Sequence, residues 1–295
     1  MFKVNKKSIL IIKKVKIQVI YNKKEVSIME QEKFIQMINN NPNIISTIEN
    51  PTDEMKILAL KKNGLVLEYI KNPSVDMQEI ALDNNIRAIK FIENPTEDMM
   101  IKAVNDGWTM LDYIKNPTEN ILKVAIEQSG WAIQYAKNPS EDLQVLAIKK
   151  DFDAIKYIKN PSEEAQKEAV KINYTALRYI DNPCMEAKIL AIKNSEAAIS
   201  FIRDSKKEDL LEFLRANFLV IKYIAKKVEK EDLEKVLEDV LSKEDVDEKY
   251  VRDFLSCNII DRNSSTIDMD KTMFIYKYGS KKSKKIAVDE RLNMI

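Results

Sequence analysis

The sequence predicts an all-α protein: a right-handed α-solenoid of about nine two-helix repeats of 22 residues, with a small flank at each end that reads as β-containing. Three observations carry this. Asn-Pro recurs at Asn50-Pro51, Asn72-Pro73, Asn94-Pro95, Asn116-Pro117, Asn138-Pro139, Asn160-Pro161 and Asn182-Pro183, each copy 22 residues after the last. A fixed period of this size marks a stacked repeat protein. Counting each repeat from its asparagine, position 10 is always alanine (Ala59, Ala81, Ala103, Ala125, Ala147, Ala169, Ala191). Position 20 is always aromatic (Tyr69, Phe91, Tyr113, Tyr135, Tyr157, Tyr179, Phe201).

In chain order, residues 1–27 form a basic N-terminal extension, in which Val15, Ile17 and Val19 alternate with polar residues. A period of two suggests a strand or two, and a flexible basic arm is the other reading. Met29 opens the first repeat and offers an alternative start. The repeat domain covers residues 28–225. In each repeat the asparagine is expected to cap a helix from about position 2 to position 13, with proline at the first helical position. Glutamates at position 4 (Glu97, Glu119, Glu141, Glu163) would complete a capping box. Positions 6, 10 and 11 form the buried face, and alanine at position 10 lets neighbouring helices approach closely.

Position 14 (Asn63, Asn85, Gly107, Ser129, Asp151, Asn173, Ser195) reads as a second capping column. A shorter second helix follows, buried through positions 17, 18 and 21, and the next Asn-Pro stops it. Residues 28–49 and 204–225 fit the same frame as end units, with Asp204 as cap and Phe213 in place of the alanine. Residues 226–295 form a C-terminal helical cap and tail. Leu233, Val236, Leu237 and Val240 have helical spacing, and residues 271–288 read as a hairpin turning at Gly279-Ser280.

Composition narrows the function. Apolar residues make up 45% and charged residues 32%, and the net charge is +1. Residues 1–28 hold eight lysines and one glutamate, so they carry +7 and the rest −6. Two cysteines and no histidine make neither a standard zinc site nor a disulfide framework. A reduced, cytoplasmic setting follows as the expectation. No apolar run exceeds four residues, as in Ile9-Leu10-Ile11-Ile12, far too short for a membrane span or a signal peptide. No glycine pair has the spacing of a phosphate-binding loop. Without histidine there is no imidazole base for a nucleophile. No catalytic, metal-ligating or cofactor-binding residue is assigned, and no enzymatic activity is expected.

Two surfaces stand out. Position 22 is basic in most repeats (Lys71, Lys115, Lys137, Lys159, Arg203), a stripe that either complements helix C-termini or meets an acidic partner. Positions 15 and 16 vary, holding Trp108, Trp131, Phe152, Tyr174 and Phe218 among smaller residues. Large aromatics on an open surface are typical interface anchors; their structural alternative is to staple the second helix to its neighbour. The position-20 aromatics are read chiefly as a half-buried packing ladder, and the position-6 methionines Met55, Met77 and Met99 as core.

The stretch from Leu122 to Ala136, LKVAIEQSGWAIQYA, resembles a family of short α-solenoid repeats seen in bacteria, bacteriophages and other mobile elements, whose core is similar to VLxAVxxNGxALxYA. The resemblance covers residues 28–225. It implies a solenoid in HEAT-like or leucine-rich-variant style, and brings no catalytic residue and no established ligand. The expected function is a non-enzymatic scaffold for protein–protein interaction through the solenoid surface. The alternative is binding of nucleic acid or an acidic partner through the basic arm and the Lys/Arg stripe. Homo-assembly is a third possibility, and no membrane partner is expected.

Overall fold

A computed structural model describes residues 29–293. The basic segment 1–28, with its expected strands, lies outside the described residues. The fold is all-α and built of repeated helix pairs. The chain divides into two compact bodies, Met1–Ala125 and Ile126–Ile295.

In the first body, residues 29–40 form α1. Then α-helices alternate with six-residue 3₁₀ segments: Pro42–Thr47, α2 (Asp53–Lys62), Gly64–Tyr69, α3 (Val75–Asn84), Ile86–Phe91, α4 (Glu97–Asp106) and Trp108–Tyr113. Next comes α5 (Glu119–Gln128). The second body continues with Gly130–Tyr135, α6 (Glu141–Lys150), Phe152–Tyr157, α7 (Glu163–Ile172), Tyr174–Tyr179, α8 (Met185–Asn194), Glu196–Phe201 and α9 (Lys207–Ala216). A short 3₁₀ turn, Phe218–Val220, then runs into α10 (Ile221–Ile224). Within each body α-helices stack on α-helices and 3₁₀ segments on 3₁₀ segments, giving two layers.

The core follows the predicted columns. Met55, Ala59 and Leu60 of α2 are buried, as are Met77, Ala81 and Leu82 of α3 and Leu143, Ala147 and Ile148 of α6. The second helix is 3₁₀ rather than α in every repeat but the last, where the 3₁₀ turn continues as α10. Each of the six-residue segments is closed by i→i+3 bonds and ends at position 21, whose extended backbone, as at Ile70, turns an apolar side chain into the core.

The helix starts require a correction. The seven Asn-Pro pairs do not cap the α-helices, which begin two residues later than expected. The cap is position 3: the hydroxyls of Thr52, Ser74, Thr96, Ser140 and Ser162 accept the N–H three residues on, at 3.2–3.4 Å. The position-4 glutamates are therefore first helical residues, where they face the positive end of the helix dipole. The asparagine instead sits in a bend between repeats. Of the seven, Asn72 has φ 50, as does Asp204 in the same place of the last repeat, in the left-handed region that short polar side chains tolerate. Asp204 accordingly does not cap α9; Lys206 precedes that helix. Only the off-phase pair Asn41-Pro42 works as expected: Asn41 Oδ1 accepts the Asn43 N–H at 3.1 Å, and Pro42 opens the 3₁₀ segment.

The position-14 column does cap the second helix. Asn63, Asn85, Asn173 and Asn217 each accept the N–H two residues on, at 3.0–3.1 Å.

Beyond the repeats lie α11 (Lys230–Leu241), α12 (Glu248–Ser256), β1 (Ile260–Asp261), β2 (Ile267–Asp268), α13 (Lys271–Tyr278) and α14 (Lys281–Asn293). α11 packs on α9, and α12 packs on the Phe218–Val220 turn, so both layers are continued by non-repeat helices. Phe213, fully buried in α9, takes the place of the alanine. The hairpin expected over 271–288 is two helices, and the only strands among the described residues are the two-residue parallel pair β1–β2. Asp270 caps α13 by accepting the Met273 N–H at 3.0 Å. Gly279-Ser280 is a helix corner: the Ser280 N–H and the Ser283 hydroxyl both donate to the Leu241 carbonyl, at 2.8 and 2.7 Å.

Candidate functional site

The 3₁₀ layer of the second body carries an outward row of aromatic and cationic side chains. The 3₁₀ segment turns positions 17 and 18 into the core and leaves 19 and 20 outside. Tyr157 and Tyr179, at position 20, are 39% and 37% exposed. At position 19, Lys156 Nζ lies 5.0 Å from the Tyr157 ring centre and 4.5 Å from that of Trp131 in the preceding repeat. The Arg178 guanidinium lies 5.6 Å from the Tyr179 ring and 5.4 Å from Phe201 in the following repeat. Each cation thus bridges two aromatic faces and ties adjacent repeats, an interaction worth about 0.5–1 kcal/mol at an exposed site.

Trp131 is 40% exposed and fixed at its polar edge. Its indole N–H donates to Asp153 Oδ1 at 2.8 Å, and Lys156 donates to Asp153 Oδ2 at 2.7 Å. Burial pushes the Asp153 carboxyl up, but hydrogen bonds from Lys156 and Trp131 outweigh it and hold the group below its ordinary value. The hydrogen bond to Asp153 raises the Lys156 ammonium in turn. Both groups are charged at neutral pH.

Next to this row a groove of about 410 Å³ opens where consecutive repeats meet, lined by Arg178, Lys188, Phe201, Arg203, Asp181 and Asp204. Among the described residues Arg178, Lys188 and Arg203 form no ion pair.

The other aromatic candidates divide. Trp108, Phe152 and Tyr174 are half-buried, and Tyr174 packs on Phe201 with ring centres 6.3 Å apart. Phe218 is corrected: it is fully buried against Phe254 and Tyr250, with ring centres at 5.2 and 5.8 Å, and cannot meet a partner. It belongs to the last repeat, where α12 covers the face left open elsewhere. The position-22 residues Lys71 and Lys115 of the first body, and Lys137, Lys159 and Arg203 of the second, are all exposed.

Sequence reasoning missed the polar ties between repeats. Gln166 Nε2 donates to the Pro161 carbonyl at 3.0 Å, while its Oε1 accepts the Cys184 N–H of the next repeat at 2.8 Å. Gln144 repeats the arrangement with Pro139 and Ser162. Asn84 and Asn194 donate back to the C-terminal carbonyls Lys61 and Val170 of the preceding helices, at 2.9 Å each. The signal available was glutamine at position 7 of three repeats, too sparse to read as a column. Gly64 and Gly130 mark a further close approach, since a Cβ on either would collide with the carbonyl oxygen of Ala81 or Ala147.

Among the described residues no three His, Cys, Asp or Glu side chains gather to hold a metal ion, and no helix is long and apolar enough to cross a membrane. Scans against family models, curated proteins and solved structures each returned no match.

Proposed function

We propose that the chain is a non-enzymatic repeat scaffold that binds a protein partner through the exposed 3₁₀ face of its second body. One observation carries this: Trp131, Tyr157 and Tyr179 stay 37–40% exposed while Lys156 and Arg178 hold them in fixed orientation. Rigid aromatics with a polar anchor lose little entropy on binding, which is why tryptophan, tyrosine and arginine dominate interface energetics. The partner complementary to such a row presents apolar and acidic side chains. The resemblance to bacterial and phage-borne repeats, and a reducing cytoplasmic setting, belong to the same proposal; both cysteines are free thiols.

The test is affinity capture from native cells with the full chain. Trp131→Ala/Tyr157→Ala/Tyr179→Ala is expected to lose the captured partner at least tenfold, with an unchanged far-ultraviolet circular dichroism spectrum. Equal capture by this variant and by Trp108→Ala/Trp131→Ala removes the face from consideration.

A second reading, binding of nucleic acid or another polyanion through the basic N-terminal segment and the position-22 cations, is favoured by the exposure of Lys71, Lys115, Lys159 and Arg203, none of them ion-paired among the described residues. It predicts an affinity that falls steeply with salt and with deletion of residues 1–28. Undetectable binding in a low-salt shift assay rejects it.

A further inference from the structure

The most exposed apolar side chains in the second body lie on α13 and α14. Tyr276 is 72% exposed, Leu292 64%, Val288 58% and Met273 56%. They are not scattered. Lys284 Nζ sits 5.8 Å from the Tyr276 ring centre, which brings the two helices together at that point. Lys284, Val288 and Leu292 then follow one another at intervals of four along α14, so they share one face. Met273 and Tyr276 also line an open cleft of about 710 Å³ with Phe274 and Lys277.

Lysines surround this apolar row. Lys277, Lys281, Lys282, Lys284 and Lys285 fall within nine residues and all are exposed. The Lys282 ammonium donates to the Val246 carbonyl at 2.7 Å, Lys277 lies over the Tyr278 ring at 4.6 Å and Lys284 over that of Tyr276, while Lys281 and Lys285 form no ion pair among the described residues. Four of the five occupy the first five residues of α14, and no acidic residue lies in its first turn. Cations at a helix N-terminus oppose the dipole, so this placement disfavours the isolated fold and is relieved by an external anion. The neighbouring acids are largely engaged. Glu234 and Glu238 of α11 act on Lys277, Glu244 accepts the Lys281 N–H, Glu290 is taken by Arg252 and Asp270 by Arg262, while Asp268 accepts the Asn263 N–H and Asp289 lies beside Val288 on α14.

We infer that this lysine-rimmed face of α13 and α14 is a peripheral docking surface for anionic lipid membranes. Exposed apolar residues flanked by lysines suit a bilayer surface, where the apolar side chains enter the headgroup boundary while the lysines meet anionic headgroups. A protein interface would favour arginine and exclude lysine, and residues 277–285 hold five lysines and no arginine. A single-stranded nucleic acid would need several open aromatic faces; here Phe274 is buried and Tyr278 half-buried, Tyr276 is the exposed aromatic, and Val288, Leu292 and Met273 cannot stack on bases. The absence of a spanning segment, on which the expectation of no membrane partner rested, does not bear on peripheral docking.

The experiment is flotation of the full chain with vesicles of phosphatidylcholine alone and of phosphatidylcholine with phosphatidylserine. Each lysine near an anionic surface is worth roughly fivefold in partitioning. Wild type is expected to float only with phosphatidylserine and less at high salt. Lys281→Gln/Lys284→Gln/Lys285→Gln is expected to bind at least tenfold more weakly, and Val288→Ser/Leu292→Ser to lose binding as well. Residues 1–28 are retained in every variant, so these losses are specific to α14. Equal flotation of wild type and both variants, equal flotation with neutral vesicles, or tighter binding of a single-stranded oligonucleotide through the same lysines overturns the assignment.

Discussion

The indole N–H of Trp131 donates to Asp153 Oδ1 at 2.8 Å, across the boundary between two repeats. The same carboxylate holds Lys156, whose ammonium lies over the Trp131 ring. One acid therefore orients both the aromatic and the cationic element of the proposed face.

This arrangement titrates in a definite direction. The Asp153 carboxyl is held below its ordinary value of about 3.9, so its contribution is present above that pH and is lost as pH falls through the lower folded value. In a Trp108→Phe background the fluorescence of Trp131 is expected to change below the ordinary aspartate range. Asp153→Asn is expected to abolish that transition. An identical acid titration in both proteins would show that the carboxylate does not hold the indole.

Gly107 and Cys184 each hold a capping position without a capping side-chain bond. Gly107 holds the position-14 place with φ 174, extended backbone that asparagine also adopts, and its Cβ position is open. Cys184 stands where most repeats have a capping serine or threonine, and makes no cap bond. Gly107→Asn and Cys184→Ser are each expected to stabilise by about 0.5–1 kcal/mol, read from urea unfolding. A loss of stability in either would contradict the capping geometry.

Gly130 and Gly107 make a matched pair. A methyl at Gly130 meets the Ala147 carbonyl, whereas at Gly107 it meets only Thr109 Oγ1 at 3.8 Å. Gly130→Ala is expected to cost about 1–3 kcal/mol by overpacking, and Gly107→Ala to be neutral or mildly stabilising. Equal melting temperatures for the two variants would refute the close approach.

Tyr250 seals the end of the stack. Its phenol donates to the Leu214 carbonyl at 2.9 Å, and burial pushes its ionisation far up, partly offset by Arg215. Tyr250→Phe leaves that carbonyl unpaired and is expected to cost about 1–3 kcal/mol. The raised group also sets a pH limit. Its contribution is complete below the unfolded value of about 10 and is lost as pH rises toward the folded value. The variant should therefore lose less stability than wild type between neutral and strongly alkaline pH, as measured by unfolding at each.

Much of the framework was legible because the repeat prints each structural demand many times. Ala59 and its equivalents are buried together, and the asparagines and serines of the Asn63 column cap as that column implied, while Gly107 and Asp151 do not. The helix starts were misread because Asn-Pro satisfies the same local rule as Ser or Thr two residues later. Only the hydroxyl contact to Met55 and its counterparts separates them. Of the candidate site, Trp131 was identifiable as a variable aromatic, but Phe218 in the adjacent column was indistinguishable from it.

By itself the sequence determined the period, the two layers and the buried columns, since these rest on local capping and on side-chain volume repeated at fixed spacing. The tertiary structure decided everything that depends on a neighbour. It made the second helix a short 3₁₀ segment, ended by an extended residue such as Ile70 that turns into the core. It buried Phe218 under α12 and left Trp131 open, a difference set by what the next helix covers. It turned Gly279-Ser280 into a helix corner, because the carbonyl of Leu241, nearly forty residues earlier in the chain, takes the hydrogen bonds that a hairpin would have kept.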